Sequence, residues 1–292
     1  MAAYNHERFV ADSLTSVLNQ TFEDFELIVI DDGSTDNTGE IIKRLCNDDS
    51  RITYIYQENQ DAFNALNRGL RSASGDYITI LNSDDVYAKT RLERLLNEQR
   101  RTGSACLFTD VQPIDEQGDE ITHPDFFWNA WHRANRDFYF SCGDLYTAFL
   151  HGNFMVTTSN LFLTREAVRK VGFFSPIHYL HDYDYIFRTM LAYPQGVCYL
   201  DQEKLLFYRL HGNNTLSQGA IIAREQDQQI IRKYMMARIP GDLHDIVAAG
   251  SDRLIALEQE LIAERRRCQS IRQRMARSKL FTFLNRIRQI FR

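Results

Sequence analysis

Cysteine is scarce and scattered: the five present, Cys46, Cys106, Cys142, Cys198 and Cys268, are odd in number and form no C-x-x-C pair. This argues against a disulfide framework and against a zinc cluster, and a reducing compartment is the simpler setting. No apolar run reaches the roughly 18 residues a spanning helix needs, and the start shows no charged, apolar and small-residue succession of an export signal. Low-complexity segments and long internal repeats are also missing. With 292 residues, 44% hydrophobic and 25% charged, disorder over the whole chain is excluded, and the length suits one large domain or two small ones. The expected location is the cytosol.

Charge is unevenly divided. The net charge is −5, yet residues 251 to 292 hold 11 Lys and Arg against 4 Asp and Glu, so the acid excess lies in the body. An acidic body with a basic tail points to an anionic partner for the tail, either membrane lipid or nucleic acid.

Residues 9 to 110 alternate between helical and strand patterns. Val10, Leu14, Val17 and Leu18 make a helix face, and Phe25 to Ile30 (FELIVI) reads as a buried strand. A helix through Ile41, Ile42 and Leu45 leads to a strand from Ile52 to Tyr56. A further helix through Ala65, Leu66 and Leu70 leads to the strand Tyr77 to Leu81. A helix with Leu92, Leu95 and Leu96 precedes the strand Ala105 to Thr109. Strands spaced by helices of this length predict an α/β fold, a mainly parallel twisted sheet with helices on both faces.

Such sheets bind ligands beyond the carboxyl ends of their strands. Two of those ends are acidic here: FELIVI runs into Asp31 to Asp36 (DDGSTD), and Tyr77 to Leu81 runs into Asn82 to Asp85 (NSDD). Carboxylates on neighbouring strand ends repel unless a cation lies between them, and oxygen donors of this kind suit Mg²⁺ or Mn²⁺. For Asp36 and Asp85 the plain alternative is that each caps the helix that follows.

The second half is less regular. Phe126, Phe127, Trp128, Trp131, Phe138, Tyr139 and Phe140 crowd one segment, which reads as an acceptor-binding lid, a membrane-facing loop or ordinary core. In HDYDYIFRTML, Tyr183, Ile186, Phe187 and Met190 make one helix face, so Asp182 falls at the helix start, as a cap or as a carboxylate facing a cleft. Beyond residue 250, Leu254, Leu257, Leu261, Cys268, Ile271 and Met275 keep a 3-4 spacing that predicts a helical hairpin or a coiled coil. Leu280 to Phe291 interleaves apolar residues with Lys279, Arg286, Arg288 and Arg292, the pattern of a basic amphipathic helix lying on anionic lipid. Phe and Leu at helical spacing suit lipid better than nucleic acid.

AAYNHERFV, SVLNQTFEDFELIVIDDGSTDNT, ALNRGL, SGDYITILNSDDVY, HDYDYIFR and YRLHGNNTLS occur in this order between residues 2 and 217. Together they resemble the family-two inverting glycosyltransferases of the nucleotide-sugar-binding type A fold. The resemblance implies that Ala3, Tyr4, Asn5 and Glu7 lie against the nucleotide, with Asp31 and Asp32 contacting the base. The family's metal motif D-x-D is matched by Asn82-Ser83-Asp84, so Asp84 is implied to carry a Mn²⁺ or Mg²⁺ ion, while Asn82 brings no charge and accepts from a ribose hydroxyl. Asp182 matches the general base, with Asp184 as runner-up, and His211 stands where similar proteins place a diphosphate or metal contact. The family's first strand is also expected, and here Met1 stands inside it, which points to a start assigned too late or a shortened chain.

The expected function is therefore metal-dependent, inverting transfer of a sugar from a nucleotide donor, a UDP-sugar before others, to a glycan or lipid-linked acceptor in surface polysaccharide synthesis. The expected organisation is a donor-binding half over 1–115, an acceptor and catalytic half over 116–235, a helical extension over 236–278 and the basic helix over 279–292. That helix would hold the protein peripherally at the inner membrane face; a homo-oligomer is compatible with the extension, and nucleic acid is not expected as a partner. Two rivals stand beside this reading. A phosphatase loop needs D-x-D where this chain has adjacent acids at Asp31 and Asp32. A non-catalytic nucleotide-sugar-binding scaffold, acting through the tail, agrees with Asn82 but not with the retained Asp84 and Asp182.

Overall fold

The computed structural model describes residues 1–212 and 220–277. Two compact units are formed, Met1–Ile230 and the chain from Ile231 onward.

In the first unit the apolar periodicity sets the elements. Helix α1 (Val10–Leu18) buries Val10, Leu14 and Val17. Strands β1 (Ala2–Ala3), β2 (Leu27–Asp32) and β3 (Ile52–Gln57) pair in parallel in that order, with Ala3 opposite Asp31 and Asp32 opposite Gln57. Strand β2 starts two residues later than Phe25 and continues through the acidic pair, because both carboxylates find hydrogen-bond donors there. Helices α2 (Thr38–Asp48) and α3 (Ala62–Ser72) supply the crossovers.

A second, five-stranded sheet has the order β4-β7-β6-β8-β5. Its strands are β4 (Tyr77–Thr79), β5 (Val86–Tyr87), β6 (Cys106–Ile114), β7 (Phe162–Thr164) and β8 (Val197–Arg209). The long central pair, β6 with β8, is parallel, and the pairings of β4 with β7, β7 with β6 and β5 with β8 are antiparallel. The parallel ladders carry most of the pairing. A bridge between Ala2 and Asn82 links β1 to the turn after β4. Helices α4 (Arg91–Thr102), α5 (Phe127–Cys142), α6 (Leu145–His151), α7 (Arg165–Val171) and α8 (His181–Ala192) complete the unit, an α/β body with helices on both sides of its sheets.

Two further strand ends differ from the sequence pattern by two residues or more. The ladder of β4 ends at Thr79 rather than Leu81, where the chain turns into the acidic segment. Strand β6 runs to Ile114 rather than stopping at Thr109, and all nine of its residues are buried. It can do so because Asp110 accepts from the Tyr199 hydroxyl and from Gln202 N at 3.1 Å and pairs with Arg136 at 2.9 Å. The aromatic segment divides between core and surface: Trp128 is buried and stacks on His132 and Tyr208, while Phe127 is 72% and Phe140 51% exposed.

A cavity of about 620 Å³ lies between β2 and β4, lined by Met1, Ile28, Leu66, Leu70, Tyr77 and Ile80 among others. Met1 N donates to Ile28 O at 2.7 Å at its edge.

In the second unit, residues His244–Arg277 form one unbroken helix of 34 residues, so no hairpin occurs within those bounds. Leu254, Leu257, Leu261 and Ile271 are exposed along it. Arg232 pairs with Asp252. The basic helix expected over 279–292 lies outside the described residues. Among the described residues no helix is long and apolar enough to cross a membrane.

Candidate active site

The carboxyl ends of β1 and β2 feed two loops that fasten to each other. Asn5 adopts a left-handed backbone (φ 51°), which Asn tolerates better than most residues, and its side-chain oxygen accepts from Thr35 N at 2.8 Å. Glu7 accepts from Asn37 N at 3.0 Å and from the Asn37 amide at 2.7 Å; Asp36 accepts from Glu7 N and from Thr38 N, both at 3.0 Å. Asp36 therefore serves the start of α2 in the way a cap does, and Glu7 is spent on holding the loops together. Tyr4 is exposed and Ala3 is buried beneath the loop.

Asp31 and Asp32 are both buried at the end of β2. Asp31 accepts from the Tyr54 hydroxyl at 2.8 Å and from Ser34 N at 3.0 Å; Asp32 accepts from the Gln57 amide at 2.6 Å and from Gln60 N at 3.0 Å. Gly33 turns the chain between them and the loop at φ 76°, and a Cβ there would stand 2.8 Å from Asn59 N, so only glycine fits.

The second acidic cluster gathers residues from three parts of the chain. Asp84 lies on the turn after β4, with His211 Nε2 at 3.1 Å from its carboxylate and His6 Nε2 at 4.0 Å. Burial pushes the Asp84 carboxyl up, but the hydrogen bond from His211 and the neighbouring imidazole charges outweigh it and hold the group below its ordinary range. Ser83 is buried, and its hydroxyl contacts His6 Nδ1 at 2.7 Å. The amide of Asn82 donates to Thr157 Oγ1 and accepts from Thr158 Oγ1, both at 3.0 Å. Asp85 is not a helix cap: it is fully buried, accepts from Ser159 Oγ at 2.5 Å and from Arg209 N at 3.1 Å, and is pushed well up by burial and by the charge of Asp84.

Arg209 ends β8, two residues before His211. Fully buried, it donates to Asp84 O at 2.9 Å and to Glu116 O at 3.1 Å, reaches Asp12 at 3.3 Å, and lies over the Phe9 ring. Phe9 in turn packs against the His211 ring with centroids 4.8 Å apart.

Asp182 begins α8. Its carboxylate accepts from Tyr183 N at 2.8 Å and from the Asn153 amide at 3.1 Å, and burial pushes it up to about 6. The Asn153 side-chain oxygen is buried without a hydrogen-bond partner among the described residues. Asp184, two residues on, faces a different way: it accepts from Ser175 Oγ at 2.7 Å and from Arg188 Nε at 2.8 Å. The segment from Asn153 to Ser159 joins the two groups, since Asn153 touches Asp182 while Thr157 and Ser159 hold Asn82 and Asp85. Val156 in its middle is held at φ 80°, an outlying conformation for a β-branched residue.

His6, Asn153 and Arg209 carried no role in the sequence reading, and Asp85 stood there as part of the acidic cluster or a helix cap. For His6 the signal was its place in the Tyr4 to Glu7 segment, which already stood out; for Asn153 there was none.

Related proteins include an uncharacterized glycosyltransferase of Haemophilus influenzae, 45% identical over 122 residues, and one of Rickettsia typhi, 27% identical over 255 residues; the matches cover 41% and 84% of this chain. The chain spans 49% of the first of these and 75% of the second, but only 16% of a Rickettsia bellii relative that is 42% identical over 115 residues. Among solved structures, S. aureus TarS 1–349 in complex with UDP-GlcNAc has a TM-score of 0.62 at 15% identity, covering 84% of this chain and 68% of that one. The mannosyltransferase PcManGT of Pyrobaculum calidifontis in complex with GDP-Man and Mn²⁺ has a TM-score of 0.58 at 15% identity, covering 86% and 67%. The model of glycosyl transferase family 2 matches residues 1–172, more than half of the chain, and with the acidic strand ends inside that span the chain belongs to this family.

Proposed function

We propose that the chain transfers a sugar from a nucleoside-diphosphate donor, a UDP-sugar before others, to a hydroxyl of a glycan or lipid-linked acceptor with inversion at the anomeric carbon. The observation that carries this reading is the convergence of Asp84, on the turn after β4, and His211, just beyond β8, from segments 127 residues apart. One carboxylate and an imidazole, side by side and part-buried, suit a divalent cation, and Asp84 and His211 would hold it. When bound, such an ion would supply charge neutralisation for a diphosphate leaving group, an effect worth several kcal/mol.

The chain's own residues do the rest. The Tyr4 to Glu7 loop and the buried Asp31 and Asp32 form the rim on which the nucleotide is placed. Asp182 takes the proton from the acceptor hydroxyl as its oxygen bonds to the anomeric carbon and the bond to the nucleoside diphosphate breaks. A carboxylate near 6 is mostly ionised at neutral pH yet more basic than an exposed one, which suits that task. Asn153 holds the carboxylate on one side. The similar folds of TarS, bound to UDP-GlcNAc, and PcManGT, bound to GDP-Man and Mn²⁺, support a nucleotide-sugar donor. A role in surface polysaccharide synthesis at the inner membrane face belongs to the same proposal, supported by the basic tail.

Calorimetry with UDP-sugars in the presence of Mn²⁺ or Mg²⁺ tests the reading. Asp84→Ala is expected to abolish metal-dependent nucleotide-sugar binding with little change in thermal stability. Undiminished Mn²⁺-dependent binding by that variant removes Asp84 from its role, and a wild-type chain that binds and hydrolyses no nucleotide sugar sinks the proposal.

A further inference from the structure

Asp84 and His211 give an ion two protein donors, and the fold brings a third to them from the other end of the sequence. His6 is fixed at both ends. Its backbone N donates to Thr38 Oγ1 at 2.8 Å, and its ring Nδ1 meets the buried Ser83 hydroxyl at 2.7 Å. With Nδ1–H donated to that hydroxyl, Nε2 presents its lone pair toward Asp84. Imidazole ligands of metal ions are commonly oriented in this way, through a hydrogen bond to the nitrogen that does not bind.

The spacing fits a shared ion better than a direct contact. His6 Nε2 stands 4.0 Å from the Asp84 carboxylate, too far for a hydrogen bond. Donor atoms of His6, Asp84 and His211 all lie within 4.8 Å of one another. Ligands about 2.1 Å from one ion stand at most about 4.2 Å apart, so the widest pair needs to close by little more than about half an ångström. The rings of His6 and His211 meet edge to face with centroids 5.6 Å apart, which leaves room between their nitrogens.

We propose that His6 is a ligand of the ion held by Asp84 and His211, so that two imidazoles and one carboxylate form the donor set and the site selects transition-metal ions over Mg²⁺. Mg²⁺ takes oxygen donors and keeps its water, whereas imidazole binds first-row transition ions with affinity rising from Mn²⁺ toward Co²⁺ and Zn²⁺. The inference rests on the reading of Asp84 as a metal holder; what fills the remaining positions, diphosphate oxygens or water, does not enter it.

The test uses the full chain and MnCl₂ alone, without nucleotide. Electron spin echo spectra of the Mn²⁺-loaded protein are expected to show nitrogen couplings from two imidazoles, and His6→Gln to show one, with Mn²⁺ affinity lowered at least about tenfold. Equimolar Zn²⁺ should displace Mn²⁺, and Mg²⁺ should not do so even at about 100-fold excess. Ser83→Ala, which keeps His6 but frees its ring, should weaken Mn²⁺ binding by a smaller factor and serves as the deciding variant if His6→Gln does not fold. Two nitrogens persisting in His6→Gln, unchanged affinity in Ser83→Ala when His6→Gln does not fold, or displacement by equimolar Mg²⁺ overturns the proposal. Two-nitrogen Mn²⁺ binding by a chain that takes up no nucleotide sugar sustains it while sinking the transferase reading; nucleotide-sugar binding with a one-nitrogen ion does the reverse.

Discussion

Two residues separate Asp182 from Asp184, and their surroundings give them opposite duties. Asp184 is locked by Arg188, whose other nitrogens donate to Val171 O and Phe173 O, so it ties α8 to the loop after α7. Among the described residues Asp182 has one amide and one backbone N–H as donors and no cation beside it, and burial lifts it to about 6. Transfer should therefore rise with pH through about 6. Asp182→Asn should keep donor affinity and lose roughly 10²-fold or more in turnover, measured as nucleoside diphosphate released. Should Asp182→Asn turn over at the wild-type rate while Asp184→Asn does not, the roles are reversed. The same shift has a stability sign. The folded state holds the Asp182 proton more tightly than the unfolded chain, so this group stabilises below about pH 4, and that contribution is lost as pH rises through about 6. Urea unfolding should show the wild type losing about 3 kcal/mol relative to Asp182→Asn between those limits.

At the level of elements, the end of β8 holds the site together. Arg209 replaces water for the carbonyls of Asp84, Asp115 and Glu116 at once. Arg209→Met keeps most of the apolar stem but leaves those oxygens without their donor. An unfolding free energy lower by about 3–5 kcal/mol, with weaker Mn²⁺ binding, is expected. Unaltered denaturant midpoints would remove Arg209 from this role. The elements themselves were largely legible in the sequence, because Val10, Leu14 and Val17 or Leu27 to Ile30 announce their period by themselves. Strand β6 was cut short at Thr109 because Asp110 and Gln112 look like a strand end. Their partners Tyr199 and Lys204 come from β8, 89 and 92 residues away. The site follows the same division. Asp84 and Asp182 stood out by residue type and by place at element ends, and Asp36 bonds the first N–H of α2 from one residue before the cap position, which Asn37 holds. Asp85 does not cap a helix, since Ser159 and the Arg209 backbone claim it from 74 and 124 residues away. No local pattern could pair Ser83 with His6 or Asn153 with Asp182.

For the whole molecule, the division of charge remains the main guide to location. From Arg265 to the end there are ten Lys and Arg and no acid. Each basic residue near an anionic surface contributes roughly 1 kcal/mol, screened over about a Debye length, and Phe281, Leu284, Ile287 and Phe291 offer apolar insertion beneath the headgroups. The full chain should float with anionic vesicles at low salt and less so at high salt, and a chain ending at Ser278 should not float. Equal flotation of both chains, or of neither, would reassign the tail to protein contacts. Leu254, Leu257 and Leu261 are exposed on the long helix, and Leu257→Glu would test whether they serve such contacts in a change of sedimentation coefficient.

The 127 residues between Asp84 and His211 also set a delay during synthesis. A ribosome adding about 5–20 residues per second needs roughly 6–25 s to pass from one to the other. Throughout that interval the Tyr4 to Glu7 loop and the acidic turn are already made, while His211 is not, and the strand that pairs in parallel with β6 is added only near its end. Parallel pairing of segments so far apart in sequence is slow to form. A nascent chain would then carry the nucleotide rim well before it can close the ion site, and arrested chains of increasing length should gain tight Mn²⁺ binding only once residue 211 has emerged.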